Sequence, residues 1–180
     1  MRHTIPNMND LLDQIDIACQ HPNLYYLALA AALTVPDIAG AVDAADGRAT
    51  GPKYIAWFDQ WAGPAFPPAG VPGHNAPTLT GQRCYWFRCG LLHQGLTEQP
   101  DPGVERILFI EAGGNVFHNN IFNQVLNLDV RLFCTSITAA ARAWMAASQG
   151  TEPYDTNMAR VIKRHPHGWP PIVVGATVIT

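Results

Sequence analysis

Arg88 and His93 are the two residues of this 180-residue chain best suited to chemistry on a phosphate. A guanidinium is a permanent cation whose fork of N–H donors matches phosphate oxygens, and an imidazole with an ordinary pKa of about 6.5 exchanges protons near neutrality. In the run Arg88-Cys89-Gly90-Leu91-Leu92-His93 they stand five residues apart. Together they can hold a phosphodiester, stabilise the charge that grows on its oxygens, and move a proton as general acid or base.

Spacing alone separates nothing. Among nine Arg and seven His, Arg160–His165 and Arg160–His167 fit the same pattern, but Pro166 breaks a helix there and residues 160–167 read as a solvated basic turn. The setting of Arg88 differs. Thr80 is a good N-cap, residues 81–94 contain no proline, and Gly95 is placed to end a helix in the left-handed conformation. Cys84, Tyr85, Trp86, Phe87, Cys89, Leu91 and Leu92 cover most of that helix, so it is expected to be buried. Arg88 among them needs an anionic partner, either a carboxylate such as Asp37 or Asp59 or the phosphate of a ligand. In the plainer reading Arg88 pairs with that carboxylate and His93 caps the helix end, where the dipole favours it. Five residues put the two groups about 140° apart and roughly 7.5 Å along the axis. They do not share a face, and a twofold axis brings the Arg of one copy towards the His of another.

From Leu79-Thr80-Gly81-Gln82 through Arg88 and His93 to Gln94-Gly95, the stretch resembles the helix of HEPN-type ribonucleases, whose motif is Arg, four to six residues, then His. The resemblance is confined to this segment. It implies an up-and-down helical bundle, a composite cleft at a homodimer interface, and RNA cleavage by attack of the ribose 2′-hydroxyl on the adjacent phosphate. Neither a metal nor a cofactor is implied. It further implies a cytoplasmic toxin or defence role, with a neutralising protein partner. The family often has a polar residue directly after the Arg, where this chain has Cys89. The reading from another class is a non-catalytic helical scaffold or binding module in which Arg88 and His93 are structural.

Composition bounds the rest. The length suits a single domain over residues 1–180, and 48% hydrophobic residues suffice for a core. Charged residues are 14%, against about 25% in typical domains, which favours oligomerisation or an apolar groove. A net charge of −3 disfavours wrapping a duplex while allowing contact with a few phosphates. Cys19, Cys84, Cys89 and Cys134 lack framework spacing and read as reduced core thiols of an intracellular protein. The most apolar stretch, Leu24–Val35, is too short to span a bilayer, and no membrane association is expected.

Periodicity predicts helices over Met8–Gln20, Leu24–Leu33, Pro36–Val42 and Pro52–Trp61. Residues Gly63–Pro77, with five prolines and three glycines, read as a long loop and candidate lid. Glu105–Glu111 and Asn115–Asn119 about Ala112-Gly113-Gly114 read as a β-hairpin, an insertion over residues 103–120. Asp129 or Asn127 then caps a long helix to about Ser148, and a weaker helix covers Thr156–Lys163. Residues 165–180 form a C-terminal tail, or a strand over Ile172–Ile179 that joins the hairpin. The fold class expected is mainly α, a HEPN-like bundle with a small inserted antiparallel hairpin.

Lesser candidates remain. His118, Asn119 and Asn120 offer an imidazole and two amides for a phosphate or base, though turn chemistry explains them as well. Arg83 can supplement phosphate binding or be a solvated helix flank. Cys84, Cys89, His93 and His74 have the wrong spacing for a structural zinc site, so no metal is expected. Tyr54, Trp57, Phe58 and Trp61 can stack bases, but at helical spacing they read as core. Neither a phosphate-binding glycine loop nor a nucleophile elbow is present.

Overall fold

Leu12, Ile15 and Cys19 recur at helical spacing and bury one side of the first helix, α1 (Asn9–Ala18), against α2 (Tyr25–Val42). The computed structural model describes residues 8–68, 78–101, 103–111 and 117–180. The break expected at Pro36 is absent, and α2 runs through it. An interior proline forfeits a backbone hydrogen bond and strains the helix by about 3 kcal/mol. Burial of Ala32, Leu33, Val35, Ala39 and Val42 around it offsets that loss. Joined to the turn Pro22–Leu24, this continuous helix is long and apolar enough to cross a membrane by length and composition, contrary to the reading of Leu24–Val35 alone. Here it is the central core helix, packed by α1, α3 and α5.

Helix α3 (Gly51–Trp57) opens with Pro52 in its first turn, as expected, and widens into a π turn over Phe58–Ala62 before the 3-10 turn Gly63–Ala65. Tyr54, Trp57 and Phe58 are core residues, which leaves their rings unavailable to bases. The glycine- and proline-rich segment is therefore helical through Ala65, and Phe66, Pro67 and Pro68 after it are irregular. Phe66 is fully buried, and residues 69–77, including His74, lie outside the described residues. Helix α4 (Gly81–Gln94) follows.

The inserted β structure differs from the expected hairpin. Strands β1 (Glu98–Asp101), β2 (Val104–Ile110), β3 (Asn120–Phe122) and β4 (Val125–Asp129) form one mixed sheet in the order β1-β2-β4-β3. β2 pairs antiparallel with β1 and parallel with β4, from Arg106↔Val125 to Ile110↔Asp129. Residues 117–119, the described part of the segment 115–119, are thus not its partner. Turn chemistry misled: the tight reversals lie at Gly103, φ +87°, and at Asn123-Gln124, both left-handed, while residues 112–116 lie outside the described residues. Val104, Ile107, Leu126 and Leu128 are buried apolar residues of the sheet.

Asp129 ends β4 and caps α5 (Val130–Ser148), its side chain accepting from the Leu132 N–H at 2.9 Å. Phe133, Cys134, Ile137, Ala141 and Trp144 give α5 its core face. Phe109 of β2 packs between Phe87 and Phe133, with ring centroids 4.9 and 5.2 Å away, and so clamps the sheet to α4 and α5. The final helix, α6 (Tyr154–Met158), is shorter and earlier than expected. Asn157 explains it, because its amide donates to the carbonyls of Val42 and Ala44 at 3.0 and 2.8 Å, at and just past the end of α2. Four two-residue strands complete the chain: β5 (Arg164–His165), β6 (Gly168–Trp169), β7 (Val173–Val174) and β8 (Val178–Ile179). They pair β5 with β8 and β6 with β7, so the C-terminal strand joins neighbouring residues of its own tail and not the sheet. The fold is mainly α with a small mixed sheet.

Candidate active site

Both ends of α4 are built as the sequence predicts. Thr80 accepts from the Arg83 N–H at 3.2 Å, and Asp59 adds a carboxylate to the same terminus by accepting from the Gly81 N–H at 2.6 Å. Negative charge there is favoured by the helix dipole. Gly81 lets α4 approach α3, since a Cβ on it would lie 2.5 Å from the Ile55 carbonyl oxygen. Gly95 closes the helix at φ +69°, and the Leu96 N–H returns to the Gly90 carbonyl at 3.1 Å.

The helix is not buried all round. Gly81, Cys84, Phe87 and Leu91 form one buried stripe, while Tyr85, Trp86, Arg88, Cys89 and Leu92 are half-buried and His93 is exposed. Arg88 therefore sits at the margin of the core. Its Nε and Nη2 both donate to Oδ2 of Asp37 on α2 at 2.8 Å, and Nη1 lies 2.9 Å from Nε2 of His93. A guanidinium only donates, so Nε2 is the acceptor and His93 carries its proton on Nδ1. Nη1 also points at Cys89 Sγ, 3.9 Å away. Four of the five N–H donors are thereby directed at protein groups, leaving one on Nη2 for a ligand.

The 140° offset between Arg88 and His93 is overcome within one chain. Asp37 draws the guanidinium along the helix surface, and the long side chain wraps far enough to reach the last turn. The geometric argument for a second copy accordingly falls away. Burial pushes the Asp37 carboxyl above the ordinary carboxylate range, and Arg88 pulls against that rise. For Arg88, burial opposes the charge, but Asp37 and Cys89 together hold its pKa above the ordinary arginine value.

The remaining candidates gather elsewhere. Arg83 Nη1 donates to the Thr78 carbonyl at 2.7 Å, the Thr78 hydroxyl bonds Asn119 Oδ1, and Asn119 Nδ2 donates to the Pro67 carbonyl at 2.9 Å. This knot ties the base of the proline-rich segment to the start of α4. It lies at the end of the helix opposite His93, with Arg83 and His93 roughly 15 Å apart along the axis. His118 Nδ1 accepts from the Asp129 N–H at 3.2 Å, and burial pulls its pKa below the ordinary value. Asn120 Oδ1 accepts from the Asn127 amide at 3.1 Å across β3 and β4. Arg83, His118, Asn119 and Asn120 thus tie neighbouring segments together and are not brought to Arg88.

Cys84 faces away from Cys89, its Sγ 3.2 Å from the Tyr54 hydroxyl inside the core, where burial pushes the thiol up to about 12. It cannot share a metal with His93. Among the described residues no three His, Cys, Asp or Glu side chains cluster as metal ligands. Tyr85, whose hydroxyl pKa is raised by Cys89 one turn on, is a neighbour of the site that sequence reasoning missed. Its i, i+4 spacing to Cys89 was the available signal.

Compared with family models, with curated proteins and with solved structures, the chain matches none.

Proposed function

We infer that the chain is a metal-independent endoribonuclease of HEPN type, with Arg88 and His93 as its catalytic pair. The observation that carries this reading is their contact at 2.9 Å on the exposed end of α4, with the guanidinium aimed by Asp37. A phosphodiester oxygen bound at Nη1 displaces His93 from the guanidinium and frees Nε2. His93 then takes the proton of the ribose 2′-hydroxyl, whose oxygen attacks the adjacent phosphorus. Arg88 stabilises the charge on the phosphorane oxygens. As the bond from phosphorus to the 5′-oxygen breaks, the His93 imidazolium returns that proton to the departing oxygen, and the products are a 2′,3′-cyclic phosphate and a 5′-hydroxyl end.

A homodimer in the cytoplasm, a toxin or defence role and a neutralising protein partner follow from the family resemblance. The low share of charged residues and the exposed Ile17, Tyr26 and Leu27 support self-association.

The Arg88–Asp37 ion pair favours a second reading, a non-catalytic helical scaffold in which Arg88 fastens α4 to α2. One assay separates the two. RNA is incubated with purified protein and a chelator, comparing wild type with Arg88→Ala and His93→Ala, each verified as folded by circular dichroism. Cyclic-phosphate ends that fall by about 100-fold or more in both variants support the enzyme. Equal product from all three proteins leaves only the scaffold.

A further inference from the structure

The chain carries a net charge of −3, yet its last stretch, residues 156–180, holds Arg160, Lys163, Arg164, His165 and His167 and no Asp or Glu. Four cations elsewhere are paired with carboxylates: Lys53 with Asp46, Arg88 with Asp37, Arg106 with Glu98, and Arg142 with Asp13 and Asp16. Among the described residues, Arg160, Lys163 and Arg164 have no carboxylate partner. Three uncompensated cations within five residues form the positive end of an acidic molecule.

The segment is also shaped. Lys163 and Thr180 exchange backbone hydrogen bonds at 2.8 and 3.0 Å, extending the β5–β8 ladder. This fixes Lys163, Arg164 and His165 along a groove of about 420 Å³ whose other wall includes Asp10, Leu11 and Gln14 of α1. Ile162 joins this groove to a second one, of about 290 Å³, that contains Arg160. His165 is held by Thr180 Oγ1 at 3.0 Å, and its ring lies 6.4 Å from that of Trp169, with the planes 30° apart. Trp169 is 48% exposed.

Unpaired cations along a groove, beside a half-exposed aromatic ring, are the elements that bind single-stranded nucleic acid. The cations take phosphates, and the ring takes a base. A duplex hides its base faces and has no use for the indole. An anionic bilayer suits the place less well, because the cations line a concavity that a flat headgroup surface does not enter. We propose that the groove of Lys163, Arg164 and His165, with Arg160 and Trp169 beside it, is a docking site for single-stranded RNA, separate from the Arg88–His93 pair. It rests on the ribonuclease reading for its substrate and supplies the phosphate contacts that the nearly saturated Arg88 lacks.

The test measures binding, not cleavage. A fluorescein-labelled single-stranded RNA 12-mer is titrated with the full chain carrying His93→Ala, by anisotropy across a range of salt. Three phosphate contacts predict a log–log salt slope of about −2. Replacing Arg160, Lys163 and Arg164 together with Ala is expected to abolish most of that slope and weaken binding at least about 10-fold. Trp169→Ala is expected to weaken it by about 5- to 100-fold and Trp169→Phe by less than about 3-fold, because a ring is retained. Arg48→Ala, a cation outside both sites, is expected to change nothing. Binding by the triple variant equal to that of its parent, or association with anionic phosphatidylglycerol vesicles and not with RNA, overturns the proposal. Retained RNA binding by a protein that cleaves nothing refutes the ribonuclease reading alone.

Discussion

One carboxylate oxygen of Asp37 receives two N–H groups of Arg88 at 2.8 Å, joining the middle of α2 to the middle of α4. The two side chains are 18% and 21% exposed, so water screens the pair only in part. Removing either partner strands the other at the margin of the core. Asp37→Asn and Arg88→Met are each expected to lower unfolding free energy by about 1–2 kcal/mol, between the values for exposed and buried pairs. The double variant is expected to lose less than the sum. Urea denaturation of the four proteins measures the coupling, and additive losses would show that the contact contributes nothing.

The same pair makes a catalytic prediction, since Asp37 aims a planar fork and not merely a charge. Arg88→Lys keeps the cation but loses simultaneous contact with Asp37 and His93. Under the proposed mechanism RNA cleavage falls by about 100-fold, and His93 gains no compensating role. Cleavage by wild type is expected to be unchanged by chelators. Full activity in Arg88→Lys would reduce the site to a point charge and sink the positioning argument.

Local chemistry was legible wherever backbone groups are satisfied by near neighbours in the chain. Thr80, Gly95 and Asp129 mark helix ends because capping is decided within a few residues; the structure places Thr80 and Gly95 as the sequence predicts and decides for Asp129 over Asn127. Pro36 misled for the opposite reason: its local cost is real, but packing on several sides of α2 outweighs it, and packing is not written in the neighbouring residues. The sheet was misjudged likewise. Parallel pairing of β2 with β4 joins residues 19 apart, and no turn residue announces it. At the candidate site, the need of Arg88 for a carboxylate was foreseeable from charge and burial. That the bond to Asp37 also bends Arg88 towards His93 depends on how α2 crosses α4, a relation no spacing contains.

The four thiols are expected to differ sharply in reactivity. Cys19, Cys84 and Cys134 are buried, and burial raises all three pKa values, that of Cys84 to about 12. Cys89 alone is half-exposed. Iodoacetamide applied to the native protein near pH 8 should modify Cys89 first, with the others following only on unfolding, as read by peptide mass spectrometry. Labelling of Cys84 or Cys134 at a rate comparable with Cys89 would mean that the packing of α4 or α5 against the core opens readily.

His118 predicts a component of stability that weakens in mild acid. Its Nδ1 must be unprotonated to accept from the Asp129 N–H, and burial depresses its pKa below the ordinary value, with the Asp129 charge opposing. The unfolded chain therefore binds this proton more readily, and between about pH 7 and pH 5 the unfolded state carries the greater proton load. Unfolding free energy from this group consequently rises with pH: its contribution is intact above the unfolded value of about 6.5 and is lost as pH falls through the depressed folded value. In His118→Gln, which retains an acceptor and does not titrate, the fall in stability from pH 7 to pH 5 should be smaller than in wild type. Urea denaturation at stepped pH reads the difference between the two curves. Parallel curves would show that the imidazole is as free to take a proton in the folded protein as in the unfolded chain.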